Sequence, residues 1–220
     1  MTPPRNPDSL DSLMNRLAAD AKARGPVMRW PYAMFTFFAL ATSVVAVSMG
    51  LVIAKKALDW PHGDGAIAGW WTLGTAGLLF VVATVSAMRL AIPGRSIDAT
   101  THYVTALLCG ALLLSVGSHS LPQGVTWSDG LLGGWECSFT LVLFAIAPLA
   151  MLGIALRTGA PVTPGRAGRW AALGGFALAL VALDLCCPSE HPAHLLVFHV
   201  GAAIVAGGLA VFVFRRALRW

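Results

Sequence analysis

The chain has 220 residues, of which 57% are hydrophobic and only 11% charged, with a formal net charge of +5. Its mean hydropathy of +0.73 lies far outside the range of water-soluble domains and excludes a solvated globule as the whole fold. The positive balance calls for no nucleic acid, because orientation in a bilayer and contact with anionic lipid account for it.

The first 29 residues are polar. The stretch "MTPPRNPDSLDSLMNRL" lacks the charged start, short apolar segment and small-residue cleavage site of a secretory signal, so no segment is expected to be removed. Leu10, Leu13, Met14, Leu17, Ala18 and Ala21 recur at steps of three and four, which places them on one stripe of a helix. Asp8 is a candidate N-cap, Asp11 suits the positive end of the helix dipole, and Gly25–Pro26 ends the run. Such a helix cannot bury its stripe alone; it lies on the bilayer, folds onto loops or docks a partner. Asp8, Asp11 and Asp20 dilute the cationic face that anionic lipid prefers, which favours a partner.

Six apolar runs follow, at 31–53, 67–88, 101–119, 135–156, 169–187 and 194–214, each long enough to cross roughly 30 Å of hydrocarbon as a helix. The expected fold is all-α: a polytopic membrane bundle of six transmembrane helices (30–220) preceded by a short cytoplasmic amphipathic helix (1–29). Trp30, Trp60, Trp70, Trp71, Trp127, Trp135, Trp170 and Trp220 fall near span ends, where amphipathic rings sit at headgroup level. The tail, the second and fourth connections and the C-terminus carry all the Lys and Arg except Lys55 and Lys56, so both termini are expected in the cytoplasm.

On that topology "ALDLCCPSEHPAH" (Ala182–His194) faces outward. Cys186 and Cys187 end the fifth span, Cys137 opens the fourth beside Glu136, and His62, His119, His191, His194 and His199 lie in or near the same face. Thiols in an oxidising compartment can form a disulfide, and Cys137 and Cys187 come within reach if their helices pack together. The same thiols with His191, His194 and a carboxylate suit a soft metal instead, although no Cys-x-x-Cys or His-x3-His pair is present. Inert, separately buried cysteines and solvated loop histidines are the plain alternatives. A vicinal Cys186–Cys187 disulfide is disfavoured by ring strain, and Cys109 reads as a small apolar filler. Asp184, one turn inside the span, is expected to face the bundle or the headgroups.

The tail "DSLMNRLAADAKARGPV", the cysteine opening the fourth span, the loop "LRTGAPVTPGRAGRWAALGGFALAL" and the segment "CCPSEHPAHLLVFHVG" with its terminal "RRALRW" together resemble the NrsF family. These are six-helix inner-membrane negative regulators of extracytoplasmic-function sigma factors. The resemblance spans nearly the whole chain and is most specific from Leu156 to Trp220. It implies an anti-sigma factor in the bacterial inner membrane. The tail would hold the sigma factor through Leu10, Leu13, Met14, Arg16 and Leu17 until heavy metal or oxidant acts on two cysteines, which match Cys137 and Cys187, with Cys186 as an extra thiol. No cofactor is obligatory, a soft divalent or monovalent metal being a signal rather than a resident group; no direct contact with nucleic acid is implied. The chain departs from the family pattern at Cys186-Cys187-Pro188, where His-Cys-Pro is expected, and at Phe198-His199, where a tryptophan-aromatic pair is expected.

Three rival classes are weaker. A quinone-linked thiol oxidoreductase needs a closely spaced redox pair and a second exchanging pair, and only Cys186–Cys187 is adjacent. A haem cytochrome lacks an inner histidine to pair with His102. A transporter would mark its midplane with charges or broken helices. No catalytic constellation is present, so the chain is not expected to be an enzyme.

Overall fold

The computed structural model describes residues 65–92, 95–118, 126–131, 133–159, 161–187, 189 and 191–218, together with Ser12 and Asn15, which are helical and exposed. The expected span 31–53 and the stripe of the expected amphipathic helix lie outside the described residues. Among these residues all regular structure is helical: α1 (Gly65–Ala91), α2 (Ala99–Gly117), a 3-10 turn (Asp129–Leu131), α3 (Trp135–Gly159), α4 (Pro164–Cys186) and α5 (Pro192–Ala217). The five long helices are each long and apolar enough to cross a membrane.

Helix ends follow local chemistry. α1 carries Arg89 in its last turn and stops just before Ile92, the residue preceding Pro93, where helical backbone is disfavoured. α2 starts after Asp98, whose carboxylate accepts from the Thr101 hydroxyl. α4 begins at Pro164 rather than at the expected 169, because proline at the first helical position gives up only an N–H that has no partner there anyway. Its exposed Arg166 and Arg169 can reach the interface along their stems. The helix ends at Cys186, and Cys187 turns extended (φ −80°, ψ 124°), as the residue before Pro188 must.

α4 is the centre of the bundle and packs against α1, α3 and α5. Of its span, 67% is buried, against 17% for α2 and 6% for α5, so the outward faces of α2 and α5, with Leu107, Leu114, Ile204 and Leu209 exposed, are the surfaces suited to lipid. Three glycines let three neighbours approach α4 closely, the usual basis of helix association where lipid is as apolar as the side chains. A Cβ on Gly174 would lie 2.9 Å from the Thr84 hydroxyl of α1, one on Gly175 2.5 Å from Leu149 of α3, and one on Gly168 2.7 Å from Phe214 of α5. Across α1 and α2 the buried Thr72 hydroxyl donates to Ser115 Oγ at 3.1 Å.

Gly174→Val should therefore destabilise the bundle by about 1–3 kcal/mol, the cost of overpacking a filled contact. Gly110→Ala, with nothing within 4 Å of the new Cβ, should be close to neutral. Thermal unfolding of the two variants in detergent checks the contrast.

The helices alternate in direction, so chemistry sorts to two ends. At one, a Cβ on Gly159 would come within 2.7 Å of Ala91, and one on Gly165 within 3.4 Å of Arg215. All described arginines fall at or beside this end: Arg89, Arg95, Arg157, Arg166, Arg169, Arg215 and Arg216. Cys137, Cys186, Cys187, His191, His194 and His199 lie toward the other.

Candidate functional site

Three helix ends build the site. Cys137 stands in the first turn of α3, its N–H donating to the Gly134 carbonyl at 3.2 Å, and Cys187 follows the last residue of α4. Their sulfurs lie 3.5 Å apart across 50 residues of sequence. The start of α5 supplies His194, whose Nε2 is 3.5 Å from the Cys187 sulfur, and His199. One ligand atom from each of Cys137, Cys187, His194 and His199 lies within 4.8 Å of the others. The two histidines are 7% and 3% exposed and the thiols half-buried.

The geometry of α5 explains how His194 and His199 come together. Five residues apart on an α-helix, at 3.6 residues per turn, would point roughly 140° away from each other. Here Leu195–Gly201 is π-helical, with the wider i→i+5 repeat that brings such a pair to the same side of the helix. The rings meet edge to face with centroids 5.4 Å apart. The wide turn is held from α3, where Ser138 Oγ donates to the Phe198 carbonyl at 3.0 Å. Gly134 leaves the room that the Phe198 ring occupies, and a Cβ there would fall within that ring.

His191, the remaining member of the sequence-derived ligand set, sits apart from this group. Its Nδ1 accepts the Ala193 N–H at 3.2 Å, capping the start of α5. Its Nε2 is therefore the protonated nitrogen and donates to the Thr126 carbonyl at 3.1 Å. Trp127 stands edge-on at 6.4 Å, and Gly130 clears space for the ring. With both nitrogens engaged, His191 ties the two connections at this end of the bundle together. Cys186 is half-buried beside the group but contributes no ligand atom to it, and Cys109 packs against the apolar core. Leu10, Leu13, Met14, Arg16 and Leu17 lie outside the described residues.

Burial pushes the Cys187 thiol above its ordinary pKa, and the neighbouring Cys137 sulfur and the Asp184 carboxylate act in the same direction. Burial thus favours the thiol form of Cys187, which is a weak nucleophile. Among the described residues His199 Nε2 is buried with no hydrogen-bond partner, a situation that costs roughly 1–3 kcal/mol. An orphaned imidazole beside two thiols is the donor set of a soft or borderline metal ion.

The turn next to the site carries its own titration. The Thr126 N–H and hydroxyl donate to Asp129 at 2.7 and 2.9 Å and hold its carboxyl below the usual carboxylate range, with His191 adding to the effect. The stabilisation that goes with a depressed folded-state pKa is complete above the ordinary carboxylate pKa and is lost as pH falls on through the lower, folded-state one. Asp129→Asn should therefore speed exchange of the Thr126 amide hydrogen several-fold at neutral pH. In the parent protein the same protection should fade only under acid conditions.

No curated protein and no solved structure matches the chain. A family profile does: residues 17–220 match NrsF, described as negative regulator of sigma F. A match over almost the entire length, on a bundle of apolar helices with paired thiols at one end, makes the chain a member of the NrsF family of negative regulators of sigma F.

Proposed function

We propose that the chain is an inner-membrane anti-sigma factor, a regulator and not an enzyme. It would hold an extracytoplasmic-function sigma factor on its N-terminal tail and release it when Cys137 and Cys187 meet a soft metal or an oxidant outside the cytoplasm. The observation that carries this reading is the 3.5 Å approach of two thiols from different helices at the end of the bundle opposite the described arginines. Arginine enrichment marks the cytoplasmic side, so the thiols are assigned to the outer one and the termini to the inner one. A link between the sulfurs favours the arrangement of α3, α4 and α5 that permits it, and α4 carries that preference across the bilayer. In the oxidative branch two thiols give two protons and two electrons to the oxidant as the S–S bond forms.

At the other end Leu10, Leu13, Met14 and Leu17 would lie in an apolar groove of the sigma factor, with Arg16 at the rim. Co-purification of the sigma factor with the full-length protein tests this. Leu13→Asp with Leu17→Asp should lower retention at least ~100-fold, the loss of two buried leucines at about 1.5–3 kcal/mol each. Undiminished retention by that variant would assign docking to the loops or spans instead.

A further inference from the structure

Two thiols suffice for a disulfide, but the site adds two imidazoles to them. We propose that Cys137, Cys187, His194 and His199 form a closed four-coordinate site for a divalent ion of the zinc and cadmium class, with the π-helical turn of α5 as the element that supplies the second nitrogen. The proposal deepens the sensing reading above and rests on it only for its biological role.

Two of the separations are close to a tetrahedral edge. Bond lengths of about 2.3 Å to sulfur and about 2.0–2.1 Å to nitrogen place tetrahedral ligands about 3.8 Å apart for S···S and about 3.6 Å for S···N. The Cys137–Cys187 and Cys187–His194 separations are both 3.5 Å, and the four ligand atoms all fall within 4.8 Å. Side-chain rotations that shorten the widest of these separations by about 1 Å would close the shell. His199 is buried with Nε2 unpartnered, so the protein sets aside a nitrogen that no side chain or backbone group among the described residues uses.

Charge selects the ion. Two thiolates, two neutral imidazoles and a divalent cation sum to zero, which a site at the rim of a bilayer tolerates. A monovalent ion would leave one negative charge beside Asp184, whose carboxylate already bears on Cys187. Four protein ligands leave no open position, the arrangement of a structural site rather than a hydrolytic one.

Metal and helix register are coupled in this arrangement. Were Leu195–Gly201 to relax to an α-helix, His199 would swing away from His194 and the fourth ligand would be lost. An ion that takes all four ligands therefore holds the wide turn, and with it the rotation of the rest of α5. The same ion occupies both sulfurs, so the metallated and disulfide states exclude each other.

The test uses the full-length protein in detergent, reduced and metal-free, titrated with cobalt(II) and then cadmium(II). One equivalent of cobalt should give thiolate-to-cobalt charge-transfer bands together with the intense visible bands of a tetrahedral ion, and cadmium should displace it. His194→Gln and His199→Phe should each weaken cobalt binding at least ~10-fold, while His191→Gln leaves it unchanged. An octahedral or thiolate-free cobalt spectrum from the parent protein overturns the proposal without recourse to any variant. A parental affinity and spectrum in His199→Phe overturns the π-helical ligand. The sensing reading fails separately, if the double cysteine-to-serine variant still releases sigma factor in cells, whatever the cobalt titration shows.

Discussion

Replacing Cys137 and Cys187 together by serine is expected to leave sigma retention intact and to hold the released fraction at its unstimulated level under soft metal or oxidant. Driving a regulator from 1:99 to 99:1 requires the signal to discriminate between two states by about 10⁴-fold, or about 5.5 kcal/mol. A disulfide typically contributes about 2–4 kcal/mol, short of that figure, whereas metal binding at thiolate and imidazole ligands reaches about 10–16 kcal/mol. Serine keeps the size of the side chains while removing both the redox couple and the soft donor, so loss of response with folding preserved isolates the sulfur chemistry. Because the pair is brought together by α3 and α4, either single serine variant should lose nearly the whole response. Reporter transcription from a sigma-dependent promoter, read beside co-purification of the sigma factor, measures both quantities. A normal response in the double variant would remove the thiols from signalling.

Gly134→Val is expected to be the most disruptive single change near the site. Gly134 is buried, and any Cβ there falls within the Phe198 ring. Phe198 precedes His199 and its carbonyl is the acceptor for Ser138, so a ring forced aside presses on the segment that forms the wide turn of α5. Overpacking costs about 1–3 kcal/mol in stability, and the local cost is larger because the displaced turn also carries the ligand His199. The expected result is a folded protein with a lowered unfolding midpoint and cobalt affinity reduced at least ~10-fold. Gly133→Ala provides the contrast. That residue has open space around it but a φ of +74°, so its cost is backbone strain of about 1–2 kcal/mol, with the cobalt spectrum unchanged.

Much of this architecture is written in the sequence in ways elementary chemistry can read. Apolar runs interrupted at Pro93 and Pro188 announce the ends of α1 and α4 within a few residues, and the arginine distribution sorts the described chain into two ends before any coordinate is known. The approach of Cys137 to Cys187 is also readable, since both lie at helix ends of one depth. His199 is not. Five residues from His194, it lies on the wrong side of any regular α-helix, and no local residue signals that Leu195–Gly201 winds more widely. The cause is tertiary: Ser138 and the gap at Gly134 belong to α3, some sixty residues upstream. His191 illustrates the opposite case. Its position beside Pro192 resembles that of a ligand, but a side-chain acceptor just before a helix that opens with proline is also a cap, and the Ala193 N–H takes it.

The packing of α4 has a mechanical consequence. With close neighbours on three sides and glycine where they press nearest, its 23 residues form a strut about 35 Å long that has little room to bow. A tug of an ångström on the sulfur end is therefore relieved only by sliding or turning the whole rod, and the guanidinium groups of Arg166 and Arg169 travel with it. The message would cross the lipid as rigid-body displacement, with no need for a pore, a carried ion or a hinge.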